Sequence, residues 1–486
     1  MEQKKLVKFF IKGGILAPAD LIKIVEVHDK LGGDYIQFGD RQEVIIRIKN
    51  NNTHLISSIA PTLHYEIADD HASFTQNNII SSFLSKKIDQ STYWVKQSSY
   101  LDILDHLQTQ YKLRVNITDL KQDFVYSFTG DVNFIASDEV NYWYLYLRDK
   151  VKGNQFLLPF LIYSEDLPVV IEFLENNFNL EEVDFEKLSD QIKELVGFRG
   201  LEFSVEPRIK VSEFANFEGL HKYDEKYWLG IYTRDGRYNS YLLSSLAALC
   251  KAQMIGQVHI TPWKTLIVKE IESSSVIDWK LFLSEHEINN GHSEAELNWQ
   301  LKDLDEEALE LKTFLRKEIA HNDININGAI FGVNMDIDYS FAHIFIEKRP
   351  ILKFMGRNEM STYNILYREN FNPSKSKFTS FKTNVFRSNL AKAIQQLVKE
   401  YHDKAYREVA NFIPSKRENI EEIKDVILEE KRHYRCKNCY TVYYPEHGDE
   451  FVTPGTSFED IPDTYCCSIC DSPKSEFEEI NLAIIS

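Results

Sequence analysis

Four cysteines near the end of the chain have the spacing of a metal site. Cys436 and Cys439 form one Cys-x-x-Cys pair, and Cys467 and Cys470 form a second pair, with 27 residues between the two pairs. Four thiolates at such spacing favour one tetrahedral site that suits either zinc or iron. A segment of about 50 residues buries little apolar surface, so a bound metal would supply folding free energy. The spacing alone favours structural zinc and leaves iron open.

The residues between and after the two pairs resemble the rubredoxin family. The shared motifs are "PEHGD", "PGTSFEDIPDTY" and "SPKSEF", in that order. The resemblance covers about 45 residues, and it implies one iron ion held by Cys436, Cys439, Cys467 and Cys470. It also implies that this iron alternates between its ferric and ferrous states, so we favour iron over zinc. Burial of the site under Tyr443, Phe458 and Tyr465 is expected to tune the reduction potential.

This segment departs from the rubredoxin pattern at several positions. Rubredoxins usually have glycine directly after each pair, where the backbone needs a positive φ, but here Tyr440 and Asp471 stand there. Tyr465 takes the place of the usual tryptophan. Cys466 is an additional cysteine beside a predicted ligand, and we interpret it as a small buried residue rather than a fifth ligand.

The same segment is strongly acidic. From residue 436 to 480 there are ten acidic and two basic residues, if histidine is not counted. Such a surface suits weak and fast docking of a positively charged redox partner. Simple solvation of a small domain explains the same charge, and the sequence leaves both interpretations open.

The rest of the chain contains an internal repeat. Residues 13–48 match residues 235–271 at a constant offset of 222, and each segment predicts a turn with glycine, an amphipathic helix and a β-strand. A weaker second pair aligns residues 128–149 with 330–349 through the steps Val132-Asn133 and Val333-Asn334. Helices are predicted after that pair, at 164–178 and 387–406. The sequence therefore predicts a two-domain unit that is duplicated once.

The duplicated part resembles the sulfite/nitrite reductase family over about residues 8–410. The motifs are Gly39-Asp40-Arg41-Gln42, "ITPWKTLIV" at 260–268 and "GRNEMSTYNILYREN" at 356–370. The resemblance implies ferredoxin-like half-domains that alternate with larger α/β domains, the fold that holds siroheme in that family. Arg41 falls where the family has an arginine that contacts siroheme carboxylates. Further basic residues that are candidates for lining a pocket that binds an anion are Lys112, Arg114 and Lys264.

The metal cluster of those reductases has no counterpart in this sequence. The family binds a 4Fe-4S cluster through Cys-x5-Cys and Cys-x3-Cys motifs, but the only cysteine before the C-terminal segment is Cys250. One thiolate cannot hold such a cluster, and Cys250 lies on a predicted helix as a core residue. We expect no 4Fe-4S cluster, and siroheme is the less expected second cofactor. No motif identifies catalytic residues.

The predicted fold class is α+β, with duplicated reductase-like α/β units and a small C-terminal rubredoxin-like metal domain. The first copy is predicted as a ferredoxin-like half-domain at 1–95 and an α/β domain at 96–195. The second copy is predicted as a ferredoxin-like half-domain at 196–300 and an α/β domain at 301–412. A linker at 413–430 and the rubredoxin-like domain at 431–486 complete the chain.

Composition limits the classes of partner. The formal net charge of −18 argues against general binding of nucleic acid or anionic membranes. No apolar run approaches the roughly 20 residues that a membrane helix needs, and no signal peptide is recognisable. Five of the six cysteines lie in the last tenth of the chain, which does not describe a secreted disulfide framework. We therefore expect a soluble cytoplasmic protein.

The sequence favours an iron-binding electron-transfer protein that serves a nitrite or sulfite reductase system in assimilation. The expected partners are such a reductase or a flavoprotein reductase. An electron carrier or accessory protein agrees with the sequence better than a complete reductase does. Two alternatives stay open: a siroheme-binding oxidoreductase without the 4Fe-4S cluster, and a non-redox scaffold with structural zinc.

Overall fold

The structure, a computed structural model, divides into two compact units, residues 1–406 (the body) and residues 407–486 (the C-terminal unit). It describes residues 5–49, 52–69, 73–89, 91–150, 154–203, 207, 214–354, 357–372, 378–412, 433–439, 441–445, 448–449, 452–453 and 455–480. The predicted linker at 413–430 lies outside the described residues. The predicted domain boundaries stay predictions.

The described part of the body contains 23 strands, numbered in chain order. They are β1 Lys5–Phe9, β2 Ile15–Leu16, β3 Ile36–Phe38, β4 Val44–Ile48, β5 Tyr65–Asp69, β6 Asn77–Asn78, β7 Ile80–Ser81, β8 Gln110–Tyr111, β9 Val115–Thr118, β10 Val132–Ala136, β11 Tyr142–Asp149, β12 Asn154–Leu157, β13 Phe160–Tyr163, β14 Leu201–Glu202, β15 Gly219–Tyr223, β16 Lys226–Ile231, β17 Val258–Ile260, β18 Leu266–Glu272, β19 Trp299–Leu301, β20 Phe331–Val333, β21 Ile344–Phe354, β22 Arg357–Arg368 and β23 Phe378–Val385.

Ten α-helices occur in the described residues. They are α1 Pro18–Lys30, α2 His54–Ile59, α3 Gln97–Asp105, α4 Leu167–Asn177, α5 Phe185–Val196, α6 Ser240–Ala252, α7 Val276–Glu285, α8 Glu294–Leu297, α9 Glu306–His321 and α10 Leu390–Phe412. Helices α4 and α10 confirm the two helices predicted at 164–178 and 387–406. None of these helices combines the length and apolar character that crossing a membrane requires.

The first repeat is present in the fold at the predicted offset of 222 residues. Helix α6 begins 222 residues after α1, β17 begins 222 after β3, and β18 begins 222 after β4. The two sheets have matching orders, β3-β4-β1-β5 and β17-β18-β16-β15, and the second sheet also takes up β2. Even the turn between the matched strands repeats, because Gln42 and Lys264 both adopt a positive φ of about 60°. The duplicated fold is therefore confirmed.

Apolar residues at helical spacing join the two copies. In α1 the residues Leu21 and Ile24 are buried, and in α6 so are Leu243 and Leu246. All four lie in one hydrophobic core that takes residues from both sheets. Burial of the matched helix faces against each other explains why the same apolar pattern occurs in both copies.

The seven-stranded sheet of the body and the five-stranded sheet that contains β19 to β23 also correspond, but not as the second sequence pair predicts. In one sheet β7, β9 and β10 are parallel and β11 and β13 follow antiparallel. In the other sheet β19, β20 and β21 are parallel and β22 and β23 follow antiparallel. Strand β10 therefore corresponds to β21. Val132-Asn133 begins β10, whereas Val333 is the last residue of β20 and Asn334 follows it, so the alignment of this second pair was wrong by one strand.

The C-terminal unit contains a three-stranded antiparallel sheet. Its strands are β24 His433–Cys436, β25 Val442–Tyr443 and β26 Phe477–Ile480, in the order β25-β24-β26. A small core of Tyr443, Phe458, Ile461 and Tyr465 packs with Phe477 and other partly buried residues. The predicted α+β class, with a small C-terminal metal domain, is confirmed.

Candidate metal centre

The sulfurs of Cys436, Cys439, Cys467 and Cys470 all lie within 4.8 Å of one another. The Sγ atoms of Cys436 and Cys470 are 3.6 Å apart, and those of Cys439 and Cys467 are 3.5 Å apart. A disulfide would need about 2.05 Å, whereas a tetrahedral site with metal–sulfur bonds of about 2.3 Å has sulfurs roughly 3.8 Å apart. The donor set therefore fits one metal ion in a tetrathiolate site.

Two loops with the same hydrogen bonding present these cysteines. The N–H of Cys436 donates to the carbonyl of Thr441 at 2.9 Å, and the N–H of Cys467 donates to the carbonyl of Ser472 at 2.7 Å. In each loop the first cysteine is buried and the second is partly exposed. One side of the sulfur cluster therefore faces the interior of the unit, and the sulfurs of Cys439 and Cys470 lie toward solvent.

The loop backbone also directs polar hydrogens at the sulfurs. Burial raises the pKa of Cys436, but hydrogen bonds from the N–H groups of Cys439 and Asn438 outweigh it, so that its pKa lies below the ordinary value. The hydroxyl of Thr441 is the main cause that lowers the pKa of Cys439 to about 6. Groups that stabilise a thiolate also favour metal binding, because the ligand must be deprotonated.

Asp471 stands where the second loop needs a left-handed backbone. Its φ is 55°, and its N–H donates to the carbonyl of Cys467 at 2.9 Å. An L-residue pays a steric penalty in this region that glycine does not. The positive φ inferred from the family pattern is thus present at Asp471. The matching position in the first loop, Tyr440, lies outside the described residues.

Replacing Asp471 by glycine is expected to stabilise the C-terminal unit by about 0.5–1 kcal/mol, because it removes this penalty. Asp463→Gly is the control, since Asp463 is exposed and has no positive φ; it is expected to be neutral or destabilising. The measurement is the temperature at which the iron chromophore bleaches in each variant. A lower bleaching temperature for Asp471→Gly than for the parent protein would show that the backbone at Asp471 carries no such steric penalty.

Aromatic side chains form the small apolar core of the C-terminal unit. Tyr443, Phe458 and Tyr465 are 4–7% exposed, and the ring of Phe458 stacks on Tyr434 with centroids 4.2 Å apart. The ammonium of Lys474 donates to the carbonyl of Ile461 at 2.5 Å and lies 5.5 Å from the ring centre of Phe458. Cys436 and Cys467 are buried in the same unit, and the expected tuning of the reduction potential by these aromatic residues stays a prediction.

Cys466 is exposed, which corrects the interpretation of this residue as buried. Its neighbour Cys467 is 1% exposed, and an extended chain directs adjacent side chains to opposite sides. Cys466 therefore points away from the sulfur cluster. The prediction that it is not a fifth ligand agrees with this placement.

Two polar residues at the cluster were missed by the sequence analysis. The Oγ1 atom of Thr441 lies 3.2 Å from the sulfur of Cys439, and Oγ of Ser472 lies 3.1 Å from the sulfur of Cys470. The signal was present in "CKNCYT" and "CSICDS", where a hydroxyl residue follows each pair by two positions. These two hydroxyls occupy equivalent places in the two loops.

In the body, the predicted cofactor contact Arg41 is 5% exposed and its donors bind protein oxygens. The guanidinium donates to the carbonyls of Asn78 at 2.8 Å, Val115 at 3.0 Å and Thr129 at 3.4 Å. It also donates to the side-chain oxygen of Asn116 at 3.2 Å. Burial, with the nearby Arg114, lowers the pKa of Arg41 to about 10. Its predicted role toward siroheme stays a prediction.

The space beside Arg41 does not fit a tetrapyrrole. The cavity that Arg41 lines with Arg114, Tyr126, Phe341 and other described residues has a volume of about 10 Å³, which is roughly what one water molecule needs. The rings of Tyr126 and Phe341 stack with centroids 4.2 Å apart. Pockets for ligands of this size occupy several hundred Å³. We therefore derive no chemical step through siroheme.

The other basic candidates are dispersed. Arg114 lines this cavity and stacks on Tyr339, with Cζ 3.5 Å from the ring centre. Lys264 forms an ion pair with Asp303 at 2.5 Å, and Lys112 is exposed. Cys250 is fully buried in α6, as predicted. The structure therefore gathers Arg41 and Arg114 at one cavity but not the two lysines.

Glu43 is a buried carboxyl group in the turn that also carries Arg41. Its side chain is 4% exposed, and Oε2 has no hydrogen-bond partner within the described residues. Burial, with the carboxylates of Asp303 and Asp40, raises its pKa to about 7 despite the nearby Lys8. The folded chain therefore holds one more proton than the unfolded chain between about pH 4.5 and 7.

The stability that Glu43 contributes is thus present at low pH and lost as pH rises through 7. The free energy of unfolding of Glu43→Gln, compared with that of the parent protein, is expected to increase by about 1–3 kcal/mol when the pH is raised from 5 to 8.5. Urea midpoints of the body at both pH values measure this gain. Glu194→Gln, an exposed carboxyl in α5, is the control without such a gain. If the difference in urea midpoint between Glu43→Gln and the parent protein did not change with pH, the raised pKa of Glu43 would be contradicted.

Comparison with known proteins identifies the C-terminal unit. The Rubredoxin family model matches residues 433–477. Rubredoxin-2 of Chlorobaculum tepidum is 41% identical over 49 residues, which cover 94% of that protein and 10% of this chain. The probable rubredoxin HupI of Bradyrhizobium diazoefficiens is 45% identical over 47 residues, which cover 68% of that protein and 9% of this chain. Through this segment the chain belongs to the rubredoxin family.

The match concerns this domain alone. The probable rubredoxin HupJ of Rhodobacter capsulatus is 50% identical over 44 residues, but the chain spans only 16% of its length. Membership of the family, with four sulfurs gathered at one point, supports a single iron in a tetrathiolate site and iron-dependent electron transfer.

The body resembles a solved structure. The NirA protein of Mycobacterium tuberculosis matches with a TM-score of 0.60 over 82% of this chain and 80% of that chain. The sequence identity is 14%, so the likeness shows the fold alone. It confirms the predicted resemblance of the body at the level of the fold.

Proposed function

We propose that the protein is an electron carrier that passes single electrons through an iron site in its C-terminal unit, in the service of a nitrite or sulfite reductase system. The observation that carries this proposal is the gathering of four sulfurs within 4.8 Å in a rubredoxin domain. When bound, iron in such a site supplies reversible one-electron chemistry. Cys436, Cys439, Cys467 and Cys470 would hold it, and the burial of Cys436 and Cys467 keeps water from two of the four sulfurs.

The geometry supports electron exchange on the side of Cys439 and Cys470. These two cysteines are partly exposed, whereas Cys436 and Cys467 are buried. Ile469, between Cys467 and Cys470, is 71% exposed, which offers a partner an apolar contact beside the sulfurs. A short path from sulfur to the surface requires no opening of the fold.

Charge supports docking of a positively charged partner on this unit. Ten acidic and two basic residues lie between residues 436 and 480. Long-range attraction of this kind speeds encounter and weakens with ionic strength. The partner we propose is a nitrite or sulfite reductase that accepts the electron, and a flavoprotein reductase is the proposed donor.

The body supports the choice of reductase system only through its fold. A body that shares the fold of NirA can present a pseudo-symmetric surface to a partner of similar build, and we propose that it docks the reductase rather than performing the reduction. An assimilatory role and a cytoplasmic location belong to the same proposal. The filled space beside Arg41 favours a carrier over a siroheme enzyme.

The test is stopped-flow mixing of the dithionite-reduced protein with a purified siroheme-containing nitrite or sulfite reductase. We expect the iron chromophore to reoxidise at least about tenfold faster with the reductase than without it, and the rate to fall as salt screens the acidic surface. Asp460→Asn/Asp463→Asn should slow the reaction at low salt only. Equal rates with and without the reductase would refute the proposed partner while leaving the iron site intact.

A further inference from the structure

Each loop of the metal site places a side-chain hydroxyl against the sulfur of its second cysteine. Thr441 Oγ1 is 3.2 Å from Cys439 Sγ, and Ser472 Oγ is 3.1 Å from Cys470 Sγ. The two hydroxyls follow the two Cys-x-x-Cys pairs by the same number of residues, and the backbone carbonyls of these residues accept the equivalent N–H groups of Cys436 and Cys467. A hydroxyl thus lies at nearly the same distance from the second sulfur in both loops.

The direction of the hydrogen bond to Cys470 follows from its neighbours. The amide nitrogen of Asn438, in the first loop, donates to Ser472 Oγ at 2.9 Å. An amide N–H can only donate, so the hydroxyl accepts this bond and keeps its own proton for another acceptor. The acceptor within reach is the sulfur of Cys470. A relay from Asn438 through Ser472 to Cys470 therefore links the two loops.

At Cys439 the sulfur and the hydroxyl oxygen of Thr441 lie within hydrogen-bond distance, and in the metal-free chain the thiol of Cys439 is the donor. Cys439 Sγ is the hydrogen-bond partner of Thr441 Oγ1 within the described residues. A thiolate has no proton to donate, so in the metal-bound state the threonine hydroxyl is the donor. Both partly exposed sulfurs thus accept a hydroxyl hydrogen bond in addition to any bond from the backbone.

We propose that Thr441 and Ser472 raise the reduction potential of the iron site by donating hydrogen bonds to Cys439 and Cys470. This inference rests on the proposed function. Uptake of one electron forms and breaks no covalent bond, and it adds one negative charge to the four thiolates and the metal together. A hydrogen bond to a sulfur is therefore stronger in the reduced state, and it favours reduction.

The experiment measures the midpoint potential of the full chain, loaded with iron, by spectroscopic redox titration. Thr441→Val and Ser472→Ala each remove one hydroxyl. Each is expected to lower the equilibrium constant for reduction roughly three- to tenfold, which corresponds to about 30–60 mV for a one-electron couple. The double variant is expected to show the sum of the two shifts. Thr441→Ser keeps the hydroxyl and is expected to restore the parent potential.

Thr456→Val is the matched control, because this hydroxyl donates to the carbonyl of Thr453 at 2.8 Å rather than to a sulfur. It is expected to leave the potential unchanged. Parent potentials in the iron-loaded Thr441→Val and Ser472→Ala proteins would overturn the inference but not the proposed function. Failure of both variants to load iron would also overturn it, because the hydroxyls would then serve folding. A parent protein that forms no iron centre would overturn the proposed function itself.

Discussion

Replacing Cys467 by serine is expected to abolish iron binding and to unfold the C-terminal unit while the body stays folded. Cys467 is 1% exposed, and its sulfur lies 3.5 Å from that of Cys439. A serine hydroxyl does not ionise at neutral pH and leaves three thiolates. Loss of a residue that only supports a metal ligand already weakens binding about 10–100-fold, so loss of a ligand should weaken it further. Because metal binding supplies folding free energy in so small a unit, folding is lost with the metal.

Cys466→Ser is the matched control for this prediction. It makes the same chemical change one residue away, at an exposed side chain that points away from the cluster. Iron per chain, the visible spectrum and protease resistance of residues 433–480 should be those of the parent protein. Retention of stoichiometric iron in Cys467→Ser, or equal loss in Cys466→Ser, would contradict the ligand assignment.

The second large effect is expected in the body, where Trp263→Ala should destabilise the fold by about 3–5 kcal/mol. Trp263 is 6% exposed and packs against Phe217 and Phe341, with ring centroids 5.0 and 4.8 Å away. These residues belong to one hydrophobic cluster that takes side chains from three of the body sheets. Truncation leaves a cavity where the duplicated units meet, and the urea midpoint of the body measures the loss.

Trp263→Phe separates packing from polar effects. The indole Nε1 of Trp263 has no hydrogen-bond partner within the described residues, so phenylalanine removes volume without removing such a bond. A loss of about 1–2 kcal/mol is expected for this variant. If alanine and phenylalanine lowered the midpoint equally, the aromatic packing would not be what stabilises this region. If the alanine variant, but not the parent protein, took up a tetrapyrrole, this result would further show that side chains fill the space beside Arg41.

Local patterns predicted the parts of the fold that repeat or carry motifs. The offset of 222 residues is preserved at α1 and α6 because both helices bury the same apolar face in a common core. The second pair failed since Val132-Asn133 and Val333-Asn334 are short patterns that several strands of such sheets can satisfy. Only the strand pairing, which joins residues distant in sequence, shows that β10 corresponds to β21.

In the candidate sites, too, local sequence patterns predicted some features, whereas others depend on how the chain folds. The four ligand positions follow from spacing and family motifs, and the sulfurs indeed converge. The hydroxyls of Thr441 and Ser472 were predictable in principle from their equal distance after each pair. The exposure of Cys466 was not, because burial of a small residue beside a ligand depends on which way the loop turns. The contacts of Arg41 with Asn78 and Val115 join distant segments and needed the folded chain.

The most direct test of the account is an absorption spectrum with metal analysis, on protein purified from a host that is supplied with iron and able to make siroheme. We expect one iron per chain, a red charge-transfer spectrum that dithionite bleaches, and no tetrapyrrole bands. A colourless protein with zinc that cannot be reconstituted with iron would contradict the electron-transfer function. Tetrapyrrole bands in addition to iron would contradict the conclusion that side chains fill the space beside Arg41.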